Sequence, residues 1–241
     1  MTGGSFTIRS QLGVGTNFDV LYRVVTIGGR NACVYMIDGF CKDEVMQKLL
    51  QHFIGITEDK MPSDAHEMSK QLVPYGEVDL EDEWEKIEYS VMSGVVAMFI
   101  DGYDRCILID ARTYPARGVA EPEKDKVLRG SKDGFVETIV FNTALIRRRI
   151  RSPQLRMEML KAGTNSQTDI VLCYMDDRVD RDFLEKIRSR INSLQVDALT
   201  LNQESLAECL YKRRWYNPFP KFKYSERPDT AAAQVLEGNI I

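Results

Sequence analysis

The chain has 241 residues, of which 44% are hydrophobic and 28% are charged, as in ordinary globular proteins. A net charge of -4 and a pI near 5.4 exclude the basic footprint of a general nucleic-acid-binding protein. No apolar stretch reaches the roughly 20 residues that a membrane-spanning helix needs. Residues 1–5 lack the basic and apolar regions of a secretory signal. We therefore expect a soluble region that forms one large domain or two small ones.

The cysteines indicate a reducing compartment. Five are present and none belongs to a C-x-x-C pair. Cys33, Cys106 and Cys173 lie inside apolar runs that are typical of buried strands. The odd number and the irregular spacing predict free thiols rather than a disulfide framework. Because only two histidines are present, a zinc site would need cysteines from separate strands, and we expect neither a metal nor a cofactor.

Strand and helix patterns alternate in the first half of the chain. Two runs rich in β-branched residues flank Gly28-Gly29, a pattern typical of a β-hairpin. Apolar residues then recur at helical spacing, and a second hairpin turns at residues 101–104. The predicted elements are strands 19–26 and 32–37, helices 42–53, 64–73 and 80–92, and strands 95–100 and 106–110.

The same order of elements recurs in the second half. Strands are predicted at 155–160 and 169–175, followed by a helix at 181–194. The segments VYMIDGFCKDEVMQKLL and LCYMDDRVDRDFLEKIR match in strand, acidic corner and following helix. We infer a duplicated β-β-α-α-β-β unit and favour it over a chance similarity between two generic βα units. The second copy would stop at the start of its closing hairpin, so we expect the chain to be a piece of a longer protein.

These patterns predict an α/β fold of α+β-like character. It should consist of two related lobes, each a small mixed β-sheet with flanking helices, joined by a linker helix. The predicted boundaries are an N-terminal tail at 1–18, lobe 1 at 19–113, a connecting segment and helix at 114–153, and lobe 2 at 154–241.

The connecting segment carries a basic loop and a predicted helix. The helix follows Gly134 and ends in a basic turn, the sign that a helix C-terminus favours. The loop before it suits either ion pairs with carboxylates of the lobes, which we favour, or a bound phosphate or carboxylate. We also predict that Arg129 and at least one arginine of 147–149 form ion pairs or hydrogen bonds across the lobe junction. The ligand or lobe-junction candidates are Arg129, Gly130, Ser131, Lys132, Glu137, Asn142, Arg147, Arg148 and Arg149.

Catalytic patterns are weak. Several aspartates lie at predicted strand ends, where α/β proteins place active sites, but Asp38-Gly39 and Asp101-Gly102 are also ordinary turn pairs. The lone Gly13-Val14-Gly15 follows no strand, unlike a dinucleotide-binding loop. Neither a triad nor a pair of catalytic acids emerges. We expect a binding or assembly module rather than an enzyme.

Residues 211–224 interleave basic and aromatic side chains. Such a segment can contact lipid headgroups or single-stranded nucleic acid, or it can be a solvated loop whose aromatic residues pack on the lobe. The acidic balance of the whole chain argues against nucleic acid. The membrane-surface candidates are Lys212, Arg213, Arg214, Trp215, Lys221 and Lys223.

The middle of the chain resembles the A-subunit family of bacterial spore germinant receptors, the GerA family. The residues that carry the resemblance are Tyr114-Pro115-x-Arg117, Glu121-Pro122-Glu123, Val127-x-Arg129-Gly130, Gly134-Phe135-x-Glu137, Asn142 and Leu145-Ile146-Arg147-Arg148-Arg149-Ile150, with Ile100-Asp101-Gly102 and Arg227-Pro228-Asp229 on the flanks. The resemblance extends over nearly the whole chain after the tail. Within the family, residues 37–42 are most similar to the stage V sporulation AF branch.

The resemblance implies a membrane protein of the inner spore membrane with this domain on the spore-core, cytoplasmic side. Downstream helices would cross the membrane, and other germination subunits and further copies would be its partners. Its role would be assembly and signal transmission in a receptor-like or ion-conducting complex that releases ions. The alternative is a small-ligand sensor that binds an amino acid, sugar or anion between the lobes. A third interpretation, an α/β enzyme acting on a phosphorylated substrate, is the least favoured.

Overall fold

A computed structural model describes residues 11–74, 76–114, 133–194, 203–211 and 221–241. Clustering of contacts divides the chain into two units: a first unit of residues 1–117 and 140–155, and a second unit of residues 118–139 and 156–241. The elements of the described residues are, in chain order, β1 (Val20–Ile27), β2 (Arg30–Ile37), α1 (Asp43–Ile54), a 3-10 turn (Glu58–Lys60), α2 (Ala65–Gln71), β3 (Glu77–Glu81), α3 (Trp84–Met92), β4 (Val96–Ile100), β5 (Cys106–Asp110), α4 (Ile139–Arg149), β6 (Leu155–Ala162), β7 (Thr168–Met175), α5 (Arg181–Asn192), α6 (Gln203–Leu210) and α7 (Pro228–Leu236).

The first unit is built on a five-stranded sheet in the order β1-β2-β4-β5-β3. Every neighbouring pair in this sheet is antiparallel. The predicted strands at 19–26, 32–37, 95–100 and 106–110 are present, and the α+β class is confirmed. The sheet is antiparallel rather than mixed. Hairpins that reverse the chain join β1 to β2 and β4 to β5, and the pairs β2–β4 and β3–β5 are antiparallel across longer connections that include helices.

Helices cover both faces of this sheet. Along β2, alternate side chains point to opposite faces, and those of residues 32–37 are buried on both. The buried apolar side chains of α1 and α2 pack on one face. Those of α3, together with Ala144 of α4, pack on the other. Burial on both sides explains why the inner strands are continuous apolar runs without a polar face.

Two predicted helices have different bounds in the structure. The helix predicted at 80–92 begins only at Trp84. Residues 77–81 form β3 instead, in which Val78 and Leu80 turn partly inward between acidic neighbours. That period of two was obscured by the acidic start of the helix that follows. The helix after Gly134 begins only at Ile139. Ahead of it, the N–H of Phe135 donates to the carbonyl of Glu226 at 2.9 Å rather than taking part in a helix.

The second unit contains a two-stranded sheet of β6 and β7. Leu184 and Ile191 of α5 pack on Leu172 and Tyr174 of β7, and Leu210 at the end of α6 joins the same cluster. The predicted strands at 155–160 and 169–175 and the helix at 181–194 are therefore present.

One helix of each unit, α3 in the first and α7 in the second, ends in the same way. Gly94 follows α3 with φ +95°, and Gly238 follows α7 with φ +96°. Around each glycine, three consecutive N–H groups donate to carbonyls four, three and five positions back along the chain. This is a helix-terminating pattern that a glycine with positive φ allows. The two helices thus lead with the same local geometry into β4 and into residues 239–241.

The segment that follows each glycine also pairs in the same register. Three residues after Gly94, Ala97 lies opposite Tyr35 of β2. Three residues after Gly238, Ile241 exchanges two backbone hydrogen bonds with Cys173 of β7. Tyr35 and Cys173 are matched residues in the two repeated segments. This agreement supports the inferred duplication, while the predicted lobe boundaries stay a prediction.

Thiol reactivity should follow burial. Cys33, Cys106 and Cys173 are buried, whereas Cys41 and Cys209 are half-buried, and all five are free. Burial raises the pKa of the Cys106 thiol, which removes the reactive thiolate at neutral pH. Burial also raises the pKa of the Cys41 thiol, so in the folded protein we expect a thiol reagent to modify Cys209 first and Cys41 more slowly, and to modify the other three only after unfolding. Equal rates for all five in mass spectrometry would contradict this.

Candidate functional site

Arg147 of α4 is a fully buried arginine, with a side chain that is 0% exposed. Its Nε donates to Oδ2 of Asp19 at 2.8 Å and its Nη2 donates to Oδ1 at 3.0 Å. Asp19, directly before β1, is itself 2% exposed. A bidentate pair of this kind gives both a strong interaction and a fixed geometry. The pair therefore anchors α4 to the start of the sheet.

The remaining Nη1 of Arg147 contacts two other parts of the first unit. It donates to the carbonyl of Leu155 at 3.3 Å and lies 3.6 Å from Sδ of Met92. The carbonyl of Ser152 is 3.5 Å away. Removing two charges from water is costly and is offset only when such additional hydrogen bonds are made. We refer to Arg147, Asp19 and these contacts as the arginine clamp.

The arginine clamp joins segments that are distant in sequence. It connects the start of β1, the end of α3 and the chain that leaves α4. Because the guanidinium is 0% exposed, it offers no surface to a ligand in solution. The arrangement fixes these three segments to one another.

Two neighbouring arginines lie differently. Arg148 lies over the ring of Tyr114, 5.7 Å from its centroid, and Arg149 donates to the carbonyl of Leu145 at 2.9 Å. Glu137 is exposed and Asn142 is half-buried. Arg129, Gly130, Ser131 and Lys132 fall outside the described residues. Ligand binding or a lobe-junction role for these candidates stays a prediction.

Tyr114 connects the resembling motif to the core of the first unit. Its hydroxyl donates to the carbonyl of Ser93 at 2.9 Å, and its ring packs edge-on against Phe40 at 5.2 Å between centroids. Nearby, the Arg112 guanidinium pairs with Asp110 and lowers the pKa of that carboxyl. The sequence identified Tyr114 only as part of a motif, since the contacts with Phe40 and Ser93 depend on the fold.

The second unit contains a cavity of about 710 Å³. Its apolar wall includes Phe183 and Ile187 of α5, Leu210 and Phe222, and Ile240 lies beside them. The lining also includes two of the membrane-surface candidates, Lys221 and Lys223. The other four, Lys212, Arg213, Arg214 and Trp215, fall outside the described residues.

Across the ranges that the structure describes, no helix is long and apolar enough to cross a membrane. Within the same ranges, no group of three or more His, Cys, Asp or Glu residues could hold a metal ion.

Comparisons with known proteins give one consistent family. The sequence profile described as Bacillus/Clostridium GerA spore germination protein matches residues 7–241. Stage V sporulation protein AF of Bacillus subtilis (strain 168) is 38% identical over 234 residues, which cover 97% of this chain and 47% of that protein. Uncharacterized membrane protein YfkQ of the same organism is 34% identical over 225 residues, covering 92% of this chain and 43% of that protein. The chain thus spans about half the length of the curated relatives it matches.

A solved structure has the same fold. The N-terminal domain of the A subunit of the Bacillus megaterium spore germinant receptor GerK3 superposes with a TM-score of 0.72 at 27% sequence identity. The match covers 98% of this chain and 87% of that one. The fold of this chain is therefore shared with a domain of a receptor subunit.

Proposed function

Because the chain belongs to the GerA family of spore germination proteins, we propose that it is a non-enzymatic domain of a membrane protein that acts in germination. Its role is to assemble with other subunits and copies of itself and to transmit a signal within a receptor-like or ion-conducting complex. The observation that carries this proposal is the match, over 98% of the chain, to a domain of a germinant receptor subunit.

The arginine clamp supports a mechanical role. Its guanidinium is occupied by groups of the first unit and not by an open site. A rigid connection between β1, α3 and the end of α4 is what transmission of a movement requires, because packed elements shift as bodies rather than deform.

We further propose that the domain lies on the cytoplasmic, spore-core side of the inner spore membrane. A relative at 34% identity carries the name of a membrane protein, and the five free thiols suit a reducing compartment. The alternative, a small-ligand sensor with its site between the lobes, stays a prediction.

The function is tested with the full-length protein in spores. We expect the protein to sediment with the inner membrane fraction, and spores that lack it to germinate more slowly, as followed by loss of light scattering. A full-length protein found entirely in the soluble fraction would overturn the localisation. Germination at the parental rate with every germinant tried would overturn the role.

The basic residues near the cavity are tested separately. If residues 211–224 contact lipid headgroups, the isolated domain should co-sediment with liposomes that contain anionic lipid and not with neutral ones, since each basic residue near the surface contributes about 1 kcal/mol. Replacing Lys221 and Lys223 with glutamine should weaken sedimentation. Replacing Lys48 and Lys70 of the first unit with glutamine is the matched control and should leave it unchanged.

A further inference from the structure

Residues 239–241 run beside β7, and Ile241 is hydrogen-bonded to it. Ile241 donates to the carbonyl of Cys173 at 3.0 Å and accepts from its N–H at 2.6 Å. Successive residues of a strand direct their backbone groups to opposite sides. The N–H and C=O of Ile240 therefore point away from β7, and among the described residues no strand pairs with them.

The first unit shows what occupies the equivalent place. Through the matched registers, Ile240 corresponds to Val96 of β4. Val96 lies opposite Ile109 of β5, and both side chains are buried, at 2% and 1% exposed. Ile240 also turns toward the corresponding face of its sheet, since it packs with the cluster around Leu172, as Val96 packs with the cluster around Val34.

The cavity of the second unit lies on this same face. Phe183 and Ile187 of α5, which line it together with Ile240, are the counterparts of Val45 and Leu49 of α1 in the aligned segments. Leu49 is only 3% exposed and Val45 packs against the core. Phe183, in contrast, is 41% exposed. Among its described residues, the second unit thus has the apolar wall of a core but no strand in the place that β5 takes in the first unit.

We propose that this edge and cavity bind an apolar β-strand from the part of the full-length protein that follows residue 241. The strand pairs with residues 239–241 and places alternate apolar side chains in the cavity. In the same way, β5 places Ile107 and Ile109 in the core of the first unit. The same molecule is the source because β5 follows β4 through a short turn, so residues 98–110 give the length needed.

This inference rests on the proposed function in one respect, that the full-length protein continues beyond this region as its longer relatives suggest. The bound strand would fix the chain leading to the membrane part onto the second unit. A movement of that unit would then be transmitted through sheet hydrogen bonds rather than through a loose linker.

Hydrogen exchange tests the proposal on two proteins, residues 1–241 and a version lengthened by about 20 encoded residues, enough for a turn and a strand. We expect the amide of Ile240 to exchange at least about tenfold more slowly in the longer protein. The amide of Val96, already between two strands, is the internal reference and should be unchanged. Equal exchange of Ile240 in both proteins would overturn the proposal.

A second measurement does not depend on the amides. In a Phe183→Trp variant, the longer protein should show tryptophan emission shifted to the blue relative to the shorter one, after correction for Trp84 and Trp215. Protection of Ile240 that appears only in dimers, seen by light scattering, would assign the strand to a second copy and overturn the same-chain source. Normal germination of spores lacking the protein would overturn the proposed function but leave these results intact.

Discussion

An Arg147→Ala variant is expected to lose about 3 to 5 kcal/mol of stability in the first unit, because Asp19 would stay buried without its cation. The carboxylate is 2% exposed and cannot regain water without opening the sheet. For a protein of this length the loss corresponds to a fall in Tm of roughly 6 to 20 °C. Calorimetry is the measurement. Because two units can unfold separately, the Tm to compare is that of the transition in which the first unit unfolds.

The adjacent residue provides the matched control. Arg148→Ala removes an equal charge from the same helix together with the ring contact to Tyr114, but its side chain is only half-buried, so we expect less than about 1 kcal/mol. A double variant, Asp19→Asn with Arg147→Met, should be more stable than Arg147→Ala because it leaves no buried unpaired charge. Equal melting temperatures for the variants at 147 and 148 would contradict the assignment of the clamp.

The inner strands could be predicted from the sequence because their physical cause is local. Burial on both faces leaves β2, β4 and β5 as short apolar runs, and glycine or aspartate turns mark their ends. The third strand, β3, was missed because it is short and acidic. Its place in the sheet comes from pairing with β5, which is a tertiary effect that propensity does not contain.

The arginine clamp could not be predicted from the sequence. Arg147 belongs to a run of three arginines, all of which suit the C-terminal turn of a helix. What separates it from Arg148 is the side of α4 that faces the core and a partner 128 positions away. The repeat, in contrast, was visible in the sequence because both copies preserve the acidic corner and the helix after it, and the shared register of Ala97 and Ile241 agrees with it.

Substitution of Gly94 by alanine is expected to destabilise the first unit by about 2 to 5 kcal/mol. The backbone has φ +95° there, a region that costs an L-residue roughly 1 to 2 kcal/mol. A Cβ would also lie 2.4 Å from Cδ2 of Phe40. Phe40 is 0% exposed and packs against Tyr114, so it cannot move aside, and overpacking adds about 1 to 3 kcal/mol.

Two other glycines separate the backbone cost from the clash. Gly15 has φ +98° with no atom within 4 Å of the position of a Cβ, so Gly15→Ala measures the backbone cost alone. Gly238, the counterpart of Gly94, would place its Cβ 3.1 Å from the carbonyl oxygen of Arg178. This contact is less severe than the one at Gly94, but it is made with backbone, which cannot rotate away as a side chain can. We expect the loss of stability in urea unfolding to be smallest for Gly15→Ala, larger for Gly238→Ala and largest for Gly94→Ala. A Gly94→Ala variant no less stable than Gly15→Ala would show that Phe40 can yield, and that the helix end and the aromatic core beside Tyr114 are not coupled.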